Sequence, residues 1–224
     1  MSSQNEFFLD PPSPRLPKRE RTRYRLMRAA LAVMSARGVA AATAQEVAAV
    51  AEVANGSFYN YFPTREALLE ALSLWLADSL CRHIAASYAH VEDGAERMAI
   101  GNRRYVLFAH DSPDWTRLIL GLVDAGASIG QHVWPYARAD LRLGVSQGRF
   151  RPVNERAAAD LISGTVTQAM RRVHAGDAGR SHAIATATTV LRGLGMAYDE
   201  AADVARRPLP PMSVALPSLP TGKG

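Results

Sequence analysis

The chain has a single cysteine, Cys81, so no internal disulfide can form. No thiol pair or Cys/His cluster suggests structural zinc, and a reducing cytoplasm is the expected compartment. Its six histidines (His83, His90, His110, His132, His174, His182) show neither H-x-x-x-H nor E-x-x-H spacing, which argues against helical zinc or di-iron sites. There is no G-x-S-x-G, no glycine-rich phosphate loop and no setting for a reactive thiol, so a helical enzyme is the weakest reading. No stretch of about eighteen apolar residues occurs, and residues 1–14 (MSSQNEFFLDPPSP) lack a basic region followed by an apolar run. No membrane partner, metal or cofactor is expected.

Regular structure is also lacking at both ends. Pro11, Pro12, Pro14 and Pro17 each fix φ and remove a donor, so residues 1–17 read as a disordered arm. Residues 207–224 carry five prolines and no periodic apolar face, and read as a flexible tail. What is abundant is positive charge, and it is localised. Between Arg15 and Glu66 nine basic residues face four acidic ones, a local excess of +5 that equals the net charge of the whole chain. Such a block attracts a polyanion, with nucleic acid the first candidate and a plain solvated basic face the alternative.

Between the ends, Ala, Leu and Arg dominate and apolar residues recur at three and four positions, so the chain is expected to be all-α. The punctuation predicts about nine helices: Arg19–Arg37, Thr43–Ala51, Asn55–Tyr61, Thr64–His90, Gly94–Ala109, Pro113–Val123, Gln131–Gln147, Asn154–His174 and Arg180–Arg206. The first three form a compact module over residues 18–66, and the rest form a larger domain over residues 67–206.

Chemistry concentrates in VAAATAQEVAAVAEVANGSFYNYFPTREALLEAL. Thr43 and Glu46 make a T-x-x-E capping box before an apolar run. A capping threonine contributes about 1 kcal/mol, and the same hydroxyl and first-turn amides suit a phosphate. A short helix, a tight turn and another short helix follow, the helix-turn-helix layout. In the third helix Phe58 and Phe62, four apart, anchor the element, leaving polar and aromatic groups outward. Asparagine and serine can read base edges, and tyrosine hydroxyls can hold phosphates. The cations from Arg15 to Arg25 can follow the DNA backbone or simply solubilise the chain.

RYRLMRAALAVMSARG followed by TAQEVAAVAEVANGSFYNYFPTREALL resembles the DNA-binding domain of TetR-family regulators from Arg19 to about Leu72. The resemblance implies that Thr43, Tyr59, Tyr61 and Arg65 hold phosphates, while Gln45, Asn55, Gly56, Ser57 and Asn60 lie near the bases. Two positions depart from the family. Glu52 stands where glycine is usual in the turn, and Ala54 stands where a serine cap is usual. Glu52 in a left-handed conformation costs on the order of 1 kcal/mol relative to glycine, and Asn55 is left either to cap the helix or to contact DNA.

Beyond Leu72 the resemblance carries architecture only. It implies a homodimer on double-stranded DNA, released by a small-molecule inducer of unknown identity. Ala158, Leu161, Ile162, Thr165, Ala169, Ile184, Ala187, Leu191 and Leu194 are candidate positions for the dimer seam, with an intramolecular core as the alternative. Candidate inducer contacts are Tyr105, Phe108, Trp115, Ile119, Trp134 and Met170, each of which can equally be ordinary core. An architectural DNA-binding protein or an activator without an inducer pocket would share the same reading head.

Overall fold

The computed structural model describes residues 17–152, 154–212 and 219. The proposed arm falls outside these residues except for Pro17, as does most of the proposed tail beyond Met212. The described residues contain ten α-helices and no strand: α1 (Lys18–Arg37), α2 (Ala44–Val50), α3 (Asn55–Phe58), α4 (Arg65–Ser87), α5 (Gly94–Asp111), α6 (Pro113–Asp124), α7 (Ile129–Ser146), α8 (Glu155–His174), α9 (His182–Gly193) and α10 (Tyr198–Arg206). A single 3-10 turn, Val39–Ala41, sits between α1 and α2. None of the described helices is long and apolar enough to cross a membrane.

The extra helix comes from the segment expected to run unbroken from Arg180 to Arg206. Gly195 has φ +104°, a conformation that glycine enters freely and other residues rarely do, and it ends α9. The Met196 amide donates back to the Leu191 carbonyl at 3.2 Å and closes the turn. The third helix is also shorter than expected. After Phe58 the chain continues in tight turns, with the Tyr61 and Phe62 amides both donating to the Phe58 carbonyl at 3.0 Å.

The described residues divide into two compact units, one formed by residues 17–76 with 121–129 and the other by residues 77–120 with 130–212. In the first, Leu26, Met27, Leu31, Val47, Phe58, Phe62, Leu68 and Leu72 are buried. The Phe58 and Phe62 rings lie 5.8 Å apart, an aromatic contact that adds about 1 kcal/mol beyond the area it buries.

The core of the second unit joins α5, α7, α8, α9 and α10 through Met98, Leu141, Phe150, Ile162, Leu191, Val204 and their neighbours. Six of the candidate seam residues, Ala158, Ile162, Ala169, Ala187, Leu191 and Leu194, are buried within this single chain. That corrects their assignment to a seam. The apolar stripes of α8 and α9 face their own chain, and the faces left exposed carry Ala157, Gly164, Gln168, Ala185, Thr189 and Arg192.

Candidate nucleic-acid interface

Thr43 caps α2, its Oγ1 accepting the Glu46 amide at 3.2 Å. The return half of the capping box is replaced. The Glu46 carboxylate accepts from Arg37 at 2.6 Å, and the Thr43 amide donates to the Ala41 carbonyl at 2.8 Å. The Glu46 carboxyl is accordingly held below its ordinary value by the Arg37 hydrogen bond and charge. Arg37 therefore ties the end of α1 to the start of α2.

The turn after α2 is a Schellman motif, with the Val53 amide donating to Ala48 at 3.0 Å and the Glu52 amide to Ala49 at 3.1 Å. It requires a left-handed residue, and Glu52 supplies it at φ +53°. Arg25, from α1, closes over this turn and donates through Nη2 to the Ala51 carbonyl at 2.5 Å and the Glu52 carbonyl at 3.4 Å. Carbonyls left over at a helix end thus gain a cation, which also favours the negative end of the α2 dipole.

Ala54 occupies the N-cap of α3 with no side-chain cap, so Asn55 is the first helical residue and its side chain stands exposed. Asn55 therefore does not cap α3. Gly56 is exposed, and a Cβ added there would meet nothing within 4 Å. Among the described residues nothing requires glycine at that position. Thr43, Gln45, Tyr59 and Asn60 are exposed, Tyr59 by 54%, while Ser57 and Tyr61 are half-buried. Tyr59 packs edge-on against Phe58 with centroids 5.3 Å apart, which fixes the direction of its ring while its surface stays in solvent.

Arg65, for which the resemblance implies a phosphate contact, is half-buried and bonds within its own unit. Its Nε donates to the Ala42 carbonyl at 3.1 Å and its Nη2 to the Val39 carbonyl at 2.8 Å, so it holds the turn before α2. Arg23 lies over the Phe62 ring at 5.1 Å. Lys18, Arg19 and Arg21 are exposed along the first turns of α1.

In the second unit several polar groups bond to one another across helices. The Tyr88 hydroxyl donates to Asp140 at 2.8 Å, Arg97 donates to the same carboxylate at 2.7 Å, and the Arg97 guanidinium stacks over the Tyr88 ring at 5.2 Å. The Cys81 sulfur and the Tyr105 hydroxyl are 2.8 Å apart, and the Tyr136 hydroxyl donates to Asp78 at 2.8 Å. Burial pushes the Asp140 carboxyl up against the pull of Tyr88 and Arg97. It also lifts the Cys81 thiol to about 11 and the Tyr105 phenol well above its usual range. Of the other candidate inducer contacts, Phe108, Trp115 and Met170 are buried, Ile119 is half-buried, and Trp134 packs against the main core.

Residues 26–72 match the family model for bacterial regulatory proteins of the tetR family, and residues 93–207 match the model for the tetracyclin repressor-like C-terminal domain. The chain belongs to the TetR family. Among solved structures it is similar to RolR in complex with the ligand resorcinol, at 29% identity over 88% of this chain and 98% of that one, with a TM-score of 0.72. RolR without ligand aligns at 27% identity over 84% and 99%, with a TM-score of 0.67. A TetR-family transcriptional regulator from Pectobacterium atrosepticum aligns at 25% identity over 79% and 95%, with a TM-score of 0.62. No curated protein matches the chain in sequence.

As a TetR-family transcriptional regulator, the chain pairs a helix-turn-helix unit with a larger helical unit. Sequence reasoning did not single out the hydrogen-bonded residues Asp78, Tyr88, Arg97 and Asp140. A signal for one of them existed: Asp140 precedes the buried Leu141 on α7, an acid on a face that otherwise reads as core.

Proposed function

We propose that this chain is a ligand-responsive repressor that binds a palindromic operator as a homodimer and releases it when a small molecule occupies the C-terminal unit. The observation that carries the DNA-binding assignment is the outer face of α2 and α3. Gln45, Asn55, Tyr59 and Asn60 stand exposed beside a glycine for which the fold has no need. On this reading Thr43, Tyr59 and Tyr61 hold phosphates and fix the register. Gln45, Asn55, Ser57 and Asn60 read base edges in the major groove, where Gly56 admits close approach. Arg65 contributes indirectly by fixing the turn that carries Thr43.

The second copy would dock on the exposed faces of α8 and α9, setting the two α3 helices about one DNA turn apart. RolR holds resorcinol in its structure. Here Tyr88, Tyr105, Tyr136 and Asp140 offer hydroxyl-directed donors and acceptors, which suits a small aromatic alcohol as inducer. Phe108, Trp115, Ile119, Trp134 and Met170 are its proposed apolar neighbours. Release needs only that the ligand favours a conformation whose two heads no longer fit the operator. The DNA places the protein in the cytoplasm.

Selection of bound duplexes from a random pool, followed by titration of the selected duplex at several salt concentrations, tests this reading. The expected result is a palindrome whose affinity falls steeply with salt, the log–log slope being about 0.9 per phosphate contact. Recovery of no preferred sequence would overturn it. Addition of resorcinol and related phenols to the bound complex tests the inducer class, with failure of all of them to release DNA counting against it.

A further inference from the structure

Two adjacent arginines on α5 lack the carboxylate partners that Arg97, Arg149 and Arg207 of the same unit have. Arg97 pairs with Asp140, Arg149 with Asp93 and Glu200, and Arg207 with Asp93 and Glu96. Arg103 is only 9% exposed and Arg104 is half-buried, yet among the described residues neither meets a carboxylate. Their partners are neutral. Arg103 donates through Nη1 to the Arg207 carbonyl at 2.6 Å, and Arg104 donates through Nη2 to the Pro210 carbonyl. Among the described residues the Nε of each is buried with no acceptor.

Removing two neighbouring cations from water without a counter-charge is unfavourable. Burial pulls both guanidinium groups below their ordinary value, and Arg104 pulls Arg103 further. Each arginine is also incompletely bonded on one side. A carboxylate accepts from Nε and an Nη together, two parallel hydrogen bonds with charge, whereas a backbone carbonyl satisfies one donor and brings no charge. The segment that provides these carbonyls contains Pro208, Pro210 and Pro211, cannot form a helix of its own, and so leaves its acceptors free.

We propose that Arg103 and Arg104 form a binding site for an organic carboxylate, closed in this structure by the carbonyl groups of residues 207–210, so that carboxylate and C-terminal segment compete for these two guanidinium groups. The site goes beyond the sensor reading and does not need it, because binding is measured without DNA. A failed operator selection leaves it standing, and its own failure leaves operator binding standing.

The test is calorimetric titration of the full chain with sodium acetate, sodium benzoate, inorganic phosphate and benzyl alcohol, the last having the same ring as benzoate but no charge. Benzoate is expected to bind at least about tenfold more tightly than benzyl alcohol, the difference expected of a charge-assisted bidentate contact. Arg104→Lys, which keeps the charge but loses the planar fork, is expected to weaken benzoate by a similar factor. Benzoate is also expected to speed elastase clipping of the chain beyond Arg207. Equal binding of benzoate and benzyl alcohol, tighter binding of phosphate, or no heat from either carboxylate would overturn the site. Benzoate binding with unchanged clipping would overturn the competition. The comparison of benzoate with benzyl alcohol uses the unaltered chain and stands even where Arg104→Lys fails to fold.

Discussion

In the unit built on α1 to α3, Thr43, Gln45, Asn55, Tyr59 and Asn60 face solvent, while the arginines Arg25, Arg37 and Arg65 are engaged in holding the turns in place. In the unit built on α5 and α7 to α10, the arrangement is reversed. There Tyr88 bonds to Asp140 and Cys81 to Tyr105 inside the protein. Exposed polar side chains that the fold does not use remain available to an external partner. An interior that satisfies them is organised either for stability alone or for a ligand that exchanges one set of bonds for another. The two kinds of polar residue should therefore fail in different assays when substituted.

The largest effect is expected at Asp140. Asp140→Ala leaves the Arg97 guanidinium without its counter-charge and the Tyr88 hydroxyl without an acceptor in a site where Asp140 is only 3% exposed. Truncating one partner of such a pair typically costs about 3 kcal/mol or more. Urea unfolding should show a matching fall in stability, and operator affinity measured well below the midpoint should be preserved. A loss below about 0.5 kcal/mol would mean that this network does not hold the second unit together.

The next effect is a pH dependence. Cys81 titrates near 9.0 when unfolded and at about 11 when folded, because burial disfavours the thiolate and outweighs the stabilising Tyr105 hydroxyl. A folded value above the unfolded one means that the stability is fully present below pH 9 and is lost as pH rises towards 11. The two-unit displacement corresponds to roughly 2–3 kcal/mol, at about 1.4 kcal/mol per unit. Tyr105 shifts in the same direction and adds to the loss. Denaturation midpoints at pH 8 and pH 10.5 should therefore diverge in the native chain and diverge less in Cys81→Ala. An identical alkaline loss in both would place its origin elsewhere.

The difference between these two units also governs what the sequence makes legible. Local signals survived well: Thr43 caps α2 as its T-x-x-E pattern requires, and Glu52 adopts the left-handed turn that its position demands. Partners distant along the chain did not. Glu46 fits a capping box, yet its carboxylate is taken by Arg37, nine residues back, and Asp140 meets Arg97 forty-three residues away. Helical periodicity marks a face as apolar without saying what covers it, and so Leu191 and Ile162 fit a dimer seam as well as the core they occupy. Gly195, within an otherwise helical run, marked a break that the surrounding Ala and Leu pattern obscured.

On the reading head the expected effects are on DNA rather than on stability. Tyr59→Ala should weaken binding to specific and random duplexes alike and lower the salt slope by about one contact. Asn60→Ala should mainly relax base preference, by about 1–3 kcal/mol at one position of the site. Because both side chains are exposed, neither change should move the thermal midpoint by more than a degree or two. Equal losses on specific and random DNA for both variants would abolish the division between phosphate and base contacts.

The smallest effects come from two positions that invert each other. Glu52 occupies a left-handed site that favours glycine, and Gly56 occupies a helical site where a Cβ would meet nothing within 4 Å. Relief of left-handed strain makes Glu52→Gly stabilising by up to about 1 kcal/mol, and the better helix propensity of alanine gives Gly56→Ala a gain of the same order. If only folding mattered, the two substitutions would behave alike in every assay. The DNA-facing assignment of α3 separates them. Glu52→Gly should raise the thermal midpoint and leave operator affinity unchanged, whereas Gly56→Ala should raise the midpoint and lower affinity, because the added methyl group meets the DNA and not the protein. A Gly56→Ala variant that gained stability and kept full affinity would remove the close approach of α3 to the operator, and with it the only reason the structure offers for a glycine at that position.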